Sequence, residues 1–357
     1  MFKNYPVARD VPAVFTEVCT YTRQSTGSTQ IMADVPSCLS PLRDMPRRTQ
    51  DFRILAPGPV RLRGFRAYTT QSEEFLLDES LDPTWDPVKY ASWFSASGTY
   101  EDYEARVFPD RLEMPDLSVN QTITEPVLSL CSAEPSNYGS WIYRILPKLV
   151  ADQEKDRALF LYAHTPWQKN LLDFFAPGRP VVYHYPRQSY DLKDVRVATM
   201  RNWGVFFDDQ TRAFYRSHAE AIPGKSDLRM IYLSRAGQKI RPMLNEALLE
   251  DGLRARGFAI VKPETLSLSD RIRMIRDAEV IACPGGSGLF NLVFANSAKL
   301  VLDIEASKRW ISAHTRLMNS LELPHLVLIG DQAQAGDPHA EWTAPVHDAM
   351  HCLDQML

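Results

Sequence analysis

The chain has 357 residues, of which 45% are hydrophobic, 24% charged and 10% aromatic, and this balance is typical of a folded globular protein rather than a disordered one. This length exceeds that of a domain with a single small hydrophobic core, so we expect two domains of ordinary size. The formal net charge of -4 argues against a general nucleic-acid-binding protein, which would carry a basic excess.

The sequence shows no targeting or membrane signal. No segment approaches the about 18 consecutive apolar residues of a membrane span, and the N-terminus lacks the apolar stretch of a signal peptide. The five cysteines are irregularly spaced without a Cys-x-x-Cys pair, which predicts neither disulfides nor a zinc site. We therefore expect a cytoplasmic protein, and a peripheral position at the inner face of the membrane stays open.

The first half of the chain changes texture at Pro126. Before it, short alternating runs broken by proline and charge predict a β-rich appendage over residues 1–120. After it, buried strands alternate with helical patterns in the segments PVLSLC, NYGSWIYRILPKLVAD, ALFLYA, TPWQKNLLDFFA and RPVVYHY. This βαβαβ pattern predicts a Rossmann-like domain over residues 121–224, closed by a helix that ends at Pro223 and Gly224.

A second alternation of strands and helices predicts another Rossmann-like domain over residues 225–335, with a tail or helix over 336–357. We expect strands over 230–234, 258–262, 280–283, 299–304 and 325–329, and helices over 242–256, from 269, over 288–296 and over 308–321. Two such domains predict two doubly wound parallel sheets facing a cleft. Ligands bind at the carboxyl ends of parallel strands, so this cleft is the expected site.

A glycine-rich loop lies between a predicted strand and a predicted helix. The stretch PGGSGLFN contains Gly285, Gly286, Ser287 and Gly288, and it matches neither a Walker A sequence nor a Gly-x-Gly-x-x-Gly fingerprint. Glycines let the backbone approach a ligand, and the free N–H groups of the next helix favour a phosphate. A turn that merely lets the helix pack closely is an equal alternative for the loop alone.

Two arginines lie between an earlier predicted strand and the helix that follows it, in the segment YLSRAGQKIRPMLNE. Arg235 follows the strand and Arg241 precedes the helix, where a ligand in the cleft would lie. Solvated loop arginines are the plain alternative. Micromolar binding needs about 8 kcal/mol, whereas a neutral hydrogen bond contributes about 1 and a charge-assisted one about 1.5 to 3. Two arginines on a pyrophosphate beside the loop would supply that energy.

Together these motifs resemble the glycosyltransferase family 61 domain of capsule-type polysaccharide proteins. The common features are a Ser-Arg, a second arginine followed by Asn-Glu, a Pro-Glu and a glycine loop with a later asparagine, while NYGSWIYRILPKL is similar to the upstream Asn-Tyr-x-His-Trp motif. The resemblance covers about residues 126–330. It implies an α/β fold of GT-B type and an inverting, metal-independent transfer from a nucleoside diphosphate sugar, without a cofactor.

The resemblance also assigns site residues. Arg235 and Arg241 would bind the diphosphate, the loop would cradle it, and Glu264 and Glu305 would hold a base or ribose hydroxyls at strand ends. Asn245 and Glu246 would brace the helix behind the arginines. Helix capping is an equal alternative for Asn245 and for Asn291. The predicted substrate-binding residues are Arg144, Arg235, Arg241, Glu264, Gly285, Gly286, Ser287, Gly288, Asn291 and Glu305, with no metal ligand.

The sequence departs from the family pattern where a general base is expected. Gly285 and Ser140 stand where the family has histidines, and Arg144 stands where it has an acidic residue. Loss of a general base costs about two to four powers of ten in rate. His164 and His184 each follow a strand and are candidate replacements, although a hydrogen-bonded structural histidine is the commoner situation. Arg144 would suit an anionic acceptor such as a uronic acid or a lipid phosphate.

The sequence thus predicts a glycosyltransferase that extends a cell-envelope or capsular polysaccharide. Its substrates would be a nucleoside diphosphate sugar and an oligosaccharide or lipid-linked acceptor, and its partners would be the membrane surface or other polysaccharide-assembly proteins, not nucleic acid. The missing base favours one alternative, a catalytically silent nucleotide-sugar-binding module that assists another glycosyltransferase. A nucleotide-linked enzyme of another reaction type on the same fold also stays open, although no sequence feature supports it directly.

Overall fold

A computed structural model gives the fold of the chain as two compact units. It describes residues 2–6, 8, 11–21, 35, 37–39, 48–64, 66–76, 106–107, 111–115, 118–132, 134–152, 154–185, 188–201, 205–308, 311–334, 337 and 339–357. Unit 1 comprises residues 1–19 and 50–201, and unit 2 comprises residues 20–49 and 202–357. The predicted domain boundaries at 120, 224 and 335 stay predictions.

The described elements mix helices and strands along the whole chain. The strands are β1 (Phe2–Pro6), β2 (Ala13–Tyr21), β3 (Cys38–Leu39), β4 (Arg48–Leu55), β5 (Val60–Arg63), β6 (Ala67–Thr70), β7 (Phe75–Leu76), β8 (Arg106–Val107), β9 (Arg111–Pro115), β10 (Gln121–Ile123), β11 (Val127–Ser129), β12 (Ala158–Leu161), β13 (Val181–Tyr183), β14 (Tyr190–Leu192), β15 (Val195–Ala198), β16 (Met230–Leu233), β17 (Ala259–Val261), β18 (Val280–Pro284), β19 (Leu300–Glu305), β20 (His325–Ile329), β21 (Asp331–Gln332) and β22 (Trp342–Thr343). The longer α-helices are α1 (Pro166–Phe175), α2 (Asp209–Glu220), α3 (Glu246–Arg254), α4 (Leu268–Asp277), α5 (Ile311–Ser320) and α6 (Val346–Met356).

Unit 1 is built on a six-stranded sheet of order β13-β12-β11-β15-β4-β2. Its first four strands are parallel, and β4 pairs with β15 in the antiparallel sense. A second sheet has the order β10-β14-β5-β6-β7, and a third the order β1-β9-β8. Strands from residues 1–120 therefore enter several sheets of the described structure. The β-rich appendage and the GT-B arrangement stay predictions.

The segment after Asn137 is helical, as predicted, but irregular. One α-helical turn, capped where the Asn137 side chain accepts a hydrogen bond from the backbone N–H of Ser140, leads into a π-helical turn over Trp141–Ile145 and a 3-10 helix over Leu146–Ala151. Pro147 explains the change because it has no N–H to donate to a preceding turn. Among the described helices, none is long and apolar enough to cross a membrane.

Unit 2 is built on a sheet of order β17-β16-β18-β19-β20-β3. The first five strands are parallel and β3 is antiparallel to β20. Every residue of β18 and β19 is buried, which is expected for strands covered on both faces. The parallel strands follow the chain as second, first, third, fourth and fifth, so the strand order reverses between β16 and β18.

The predicted strands of this sheet are confirmed to within one residue at each end, but two helices differ. Helix α3 begins at Glu246 instead of residue 242, and Met243, within the predicted helix, forms a bridge with Trp342 far along the chain. The segment after the glycine loop is a 3-10 helix, Ser287–Phe294, instead of an α-helix. Strands β14 and β15 were not predicted.

Candidate functional site

The candidate site lies in unit 2, where the strand order reverses. Open α/β sheets bind ligands in the crevice beyond the carboxyl ends of the two strands at such a point. Gly285 directly follows β18, and Arg235 follows β16 after a single intervening serine. The topology therefore brings the predicted arginine to the predicted glycine loop.

Arg235 is fixed by bonds from both its backbone and its side chain. Its Nη1 donates to the carbonyl oxygen of Gly285 at 3.1 Å, and its Nη2 donates to that of Ile240 at 2.8 Å. Its backbone N–H donates to Oε1 of Glu246 at 2.6 Å. The same oxygen of Glu246 accepts the hydroxyl of Tyr232 at 3.0 Å, so the first turn of α3 fixes the end of β16.

Arg241 is held in a left-handed backbone conformation, with φ of 53°. Non-glycine residues seldom adopt this conformation, and such strain is frequent at functional sites. The indole Nε1 of Trp342 secures the turn by donating to the carbonyl oxygen of Arg241 at 3.1 Å. Within the described residues, the buried Nη1 of Arg241 has no hydrogen-bond partner. Burial lowers the pKa of Arg241, and the charge of Glu305 opposes this effect.

The two guanidinium groups meet at the backbone of Gly286. This residue has φ of 150° and ψ of -170°, a conformation that is essentially restricted to glycine. A Cβ placed on it would lie 2.9 Å from Nη2 of Arg241 and 3.5 Å from Nη1 of Arg235. The pKa of Arg235 is lowered by burial first and by the charge of Arg241 second. An anion between them would offset both effects.

The rest of the loop is open to solvent on one side. Ser287 and Gly288 are exposed, and a Cβ on Gly288 would meet no atom within 4 Å. Asn291 is buried, and its Nδ2 donates to the carbonyl oxygen of Gly288 at 2.8 Å. Its side chain therefore stabilises the first turn of the 3-10 helix.

A cluster of titratable groups lies beneath the loop. Asp303 and Glu305 on β19 are completely buried, and Oε1 of Glu305 forms a short contact with Nδ1 of His314 on α5. A Cβ on Gly285 would lie 2.1 Å from Oε2 of Glu305, so only glycine fits at that position. Burial, followed by the charge of Glu305, raises the pKa of Asp303 well above its ordinary value.

The same cluster has the side chains that metal ions use. One ligand-type atom from each of Asp303, Glu305 and His314 lies within 4.8 Å of the others. The charge of Glu305 also acts on Arg235 and Arg241, and these two cations oppose a third charge of the same sign. The predicted absence of a metal stays a prediction.

Four predicted residues do not belong to this cluster. Glu264 is exposed on the 3-10 turn Pro263–Thr265, which follows the outer strand β17. Arg144, His164 and His184 belong to unit 1. The Arg144 guanidinium lies 4.7 Å from the ring centroid of Tyr143, and its Nε contacts the Tyr143 hydroxyl.

The two histidines of unit 1 are packed among aromatic rings. Nε2 of His164 lies 2.8 Å from the carbonyl oxygen of His184, and the His164 ring lies 4.2 Å from that of Tyr185. Because a carbonyl oxygen only accepts, this nitrogen of His164 must carry a hydrogen. His184 is completely buried, and burial lowers its pKa to about 3. These are contacts of structural histidines, and the proposed catalytic role of both stays a prediction.

Several residues that shape the site were not singled out from the sequence. Trp342 secures Arg241 from a segment about a hundred residues away, and no local pattern indicates such a contact. Ser234 donates to Glu250 on α3 at 2.8 Å. Its position between the predicted strand and Arg235 could have identified it from the sequence. His314 is a lone histidine in a helix, and its contact with Glu305 depends on tertiary packing.

Comparison with known proteins identifies the family of one segment. Residues 138–302 match the family model described as Glycosyltransferase 61, and this segment includes both arginines and the glycine loop. No curated protein matches the chain. The matched segment is therefore a glycosyltransferase family 61 domain, and the chain carries a glycosyltransferase domain.

Proposed function

We propose, from the glycosyltransferase family 61 domain over residues 138–302, that the protein transfers a sugar from a nucleoside diphosphate donor to a growing cell-envelope or capsular polysaccharide. One observation carries the donor assignment. The guanidinium groups of Arg235 and Arg241 converge on the backbone of Gly286 at the point where the sheet reverses its strand order.

A bound diphosphate would neutralise the positive charges of this arrangement. Two partly buried like charges repel each other, and each guanidinium has planar N–H donors that match phosphate oxygens in pairs. Nη1 of Arg241 is a buried donor that lacks a partner in the described structure, and such a donor favours an acceptor supplied by a ligand. The glycine backbone lets that acceptor approach closely.

The proposed reaction is an in-line displacement. The acceptor hydroxyl attacks the anomeric carbon from the face opposite the diphosphate, which inverts the configuration, and the bond from that carbon to the phosphate oxygen breaks. Arg235 and Arg241 stabilise the charge that develops on the leaving diphosphate, the part that a metal ion takes in metal-dependent enzymes. No metal ion is needed in this scheme.

Calorimetric titration with UDP, GDP and dTDP tests the donor site. We expect one of them to bind and Arg235→Ala to weaken that binding by about 10-fold to 150-fold, because a charge-assisted hydrogen bond contributes about 1.5 to 3 kcal/mol. Arg229→Ala is the matched control, since Arg229 precedes the same strand β16 at its opposite end and pairs with Glu279 on the surface. Equal affinities of the two variants would contradict the assignment of Arg235.

Turnover separates the enzyme from a silent binding module. A panel of UDP-, GDP- and dTDP-sugars is incubated with the protein, and release of the nucleoside diphosphate is followed with and without oligosaccharide acceptors. We expect release from one donor, stimulated by an acceptor. Tight binding without any release would favour the alternative of a catalytically silent module.

A further inference from the structure

Unit 1 carries a cluster of aromatic side chains at the carboxyl ends of two parallel strands. We propose that this aromatic platform, formed by Tyr162, His164, Tyr183 and Tyr185, binds the saccharide acceptor by stacking on its sugar rings. This inference rests on the proposed transfer function and deepens it, because it assigns a binding surface to the acceptor as well as to the donor.

The sheet of unit 1 brings these rings together. Leu161, the last residue of β12, is paired in the parallel sense with Tyr183, the last residue of β13. Tyr162 and His164 therefore follow one strand end, and Tyr185 follows the neighbouring one. Ligands of open α/β sheets bind at the edge formed by the carboxyl ends of the strands, and the platform lies at this edge.

Two rings of the platform are exposed. Tyr183 is 39% exposed and Tyr185 is 47% exposed, and both contact the same imidazole, that of His164. Among the residues whose burial the structure describes, no other tyrosine, tryptophan or phenylalanine is exposed. Apolar residues scattered singly over a surface are ordinary, whereas neighbouring exposed rings indicate a surface that contacts a ligand or a partner.

The platform is fixed before any ligand binds. The His164 ring lies 4.2 Å from that of Tyr185 at an angle of 34°, and 5.7 Å from that of Tyr183 at 41°. Nε2 of His164 donates to the carbonyl oxygen of His184 at 2.8 Å. The backbone N–H of Tyr185 donates to the hydroxyl of Tyr190 at 2.9 Å. Rings that are already oriented lose little conformational entropy on binding, so this surface suits a specific ligand.

The chemistry of the exposed rings matches a saccharide. A pyranose presents C–H groups on its faces and hydroxyls around its edge, and a tyrosine presents an apolar ring with a hydroxyl at its tip. Among the described residues, neither hydroxyl of Tyr183 and Tyr185 forms a hydrogen bond, so both are available to sugar hydroxyls. Nζ of Lys169 on α1 lies 5.5 Å from the centroid of the Tyr183 ring and adds a further donor beside it.

An apolar protein partner fits this surface less well. Such a partner would need exposed aliphatic side chains around the rings, and within the described residues the exposed ones belong to other segments of the chain. They are Val14, Leu228, Ile240, Leu244, Leu248 and Leu357. A glycosyltransferase domain, by contrast, requires an acceptor, and the acceptor of the proposed reaction is a saccharide.

Affinity electrophoresis tests the platform without a nucleotide. The protein is run on native gels that contain dextran, xylan, hydroxyethylcellulose or polygalacturonate, and the mobility at increasing polysaccharide concentration gives the dissociation constant. We expect at least one of the four to retard the wild type. Tyr185→Ala should raise that dissociation constant by about 5-fold to 30-fold, because aromatic anchors contribute much of the binding energy of a surface. Tyr185→Phe retains the ring and should stay within about threefold.

Phe214→Ala is the matched control. It also removes a ring that packs beside a histidine, since Phe214 lies 4.5 Å from His218 on α2 of unit 2, and it should leave the retardation unchanged. Urea unfolding of the same samples shows that the variants are folded. Tyr183→Ala gives a second, independent loss of affinity and decides the question if Tyr185→Ala does not fold.

Two results in these gels would overturn the proposal. One is a wild type that none of the four polysaccharides retards, and the other is equal retardation of the wild type, Tyr183→Ala and Tyr185→Ala. Sedimentation velocity adds a third. A wild-type dimer that dissociates in Tyr185→Ala would show that the rings bind a second copy of the chain, and this would also overturn the proposal.

Kinetics separates this inference from the donor assignment. With an oligosaccharide of the retarding polysaccharide as acceptor, Tyr185→Ala should raise the KM for that acceptor by about 5-fold to 30-fold and leave the nucleoside diphosphate affinity within about twofold. A wild type that is retarded in the gels but binds no nucleotide would contradict the donor assignment and support the platform. Wild-type turnover with an unchanged KM for the acceptor in Tyr185→Ala would overturn the platform alone.

Discussion

Gly286→Ala is the substitution that most directly tests the convergence of the two arginines. The added Cβ would lie 2.9 Å from Nη2 of Arg241, whereas non-bonded heavy atoms are at their optimum at about 3.5 to 4.0 Å. Nη2 must therefore withdraw by about 0.6 Å or more. A hydrogen bond of ordinary length that is stretched by this amount passes out of the effective range, so the variant should lose the contribution of Arg241 to the diphosphate.

The expected loss follows from that contact. One charge-assisted hydrogen bond contributes about 1.5 to 3 kcal/mol, which corresponds to about a 10-fold to 150-fold increase in the dissociation constant of the nucleoside diphosphate. An alanine held in the backbone conformation of residue 286, with φ of 150°, also reduces the free energy of unfolding by about 1 to 3 kcal/mol. Affinity is measured by calorimetry and stability by urea unfolding of the same samples.

Gly178→Ala is the control for the backbone cost. Gly178 has φ of 73°, and a Cβ there would meet no atom within 4 Å. We expect this variant to lose stability without losing nucleotide affinity. The reasoning would be refuted if Gly286→Ala bound the nucleotide as tightly as the wild type, or if both glycine variants lost affinity in proportion to stability.

Two further predictions concern the buried carboxyl pair. Treatment with EDTA should change the initial rate of transfer by less than about twofold, because Arg235 and Arg241 replace the metal; a loss of rate that Mn²⁺ or Mg²⁺ restores would instead identify Asp303, Glu305 and His314 as ligands. The raised pKa of Asp303 means that the folded state binds a proton more tightly than the unfolded state, so the stability that Asp303 contributes is full below its unfolded pKa of about 3.9 and declines as the pH rises toward the folded value. The free energy of unfolding of Asp303→Asn minus that of the wild type should therefore increase between pH 4 and pH 8 in urea titrations. A difference that stays constant with pH would contradict the raised pKa of Asp303.

The parts of the site that were predictable are those fixed by the order of strands and loops. Arg235 and Gly285 are 50 residues apart, yet each follows a parallel strand, and the carboxyl ends of neighbouring parallel strands meet at one edge of a sheet. The contacts with Trp342 and His314 were not predictable, because they depend on how α5 and the chain after β20 pack on that edge. Strands β14 and β15, which pair with β10 and β11 respectively, were missed because the segment YDLKDVRVA alternates too briefly to be distinguished from a loop.

The arrangement of the buried carboxylates explains how this site keeps its positive charge available. Glu246 accepts from the backbone N–H of Arg235, and Glu305 binds His314, so each carboxylate is engaged by a group other than a guanidinium. Within the described residues neither Arg235 nor Arg241 forms an ion pair with a carboxylate; Arg235 donates instead to the carbonyl oxygens of Gly285 and Ile240. A carbonyl oxygen orients a guanidinium without neutralising it. The two carboxylates thus offset part of the cost of burying the arginines from a distance, while the guanidinium charges remain free to meet a doubly charged ligand at Gly286.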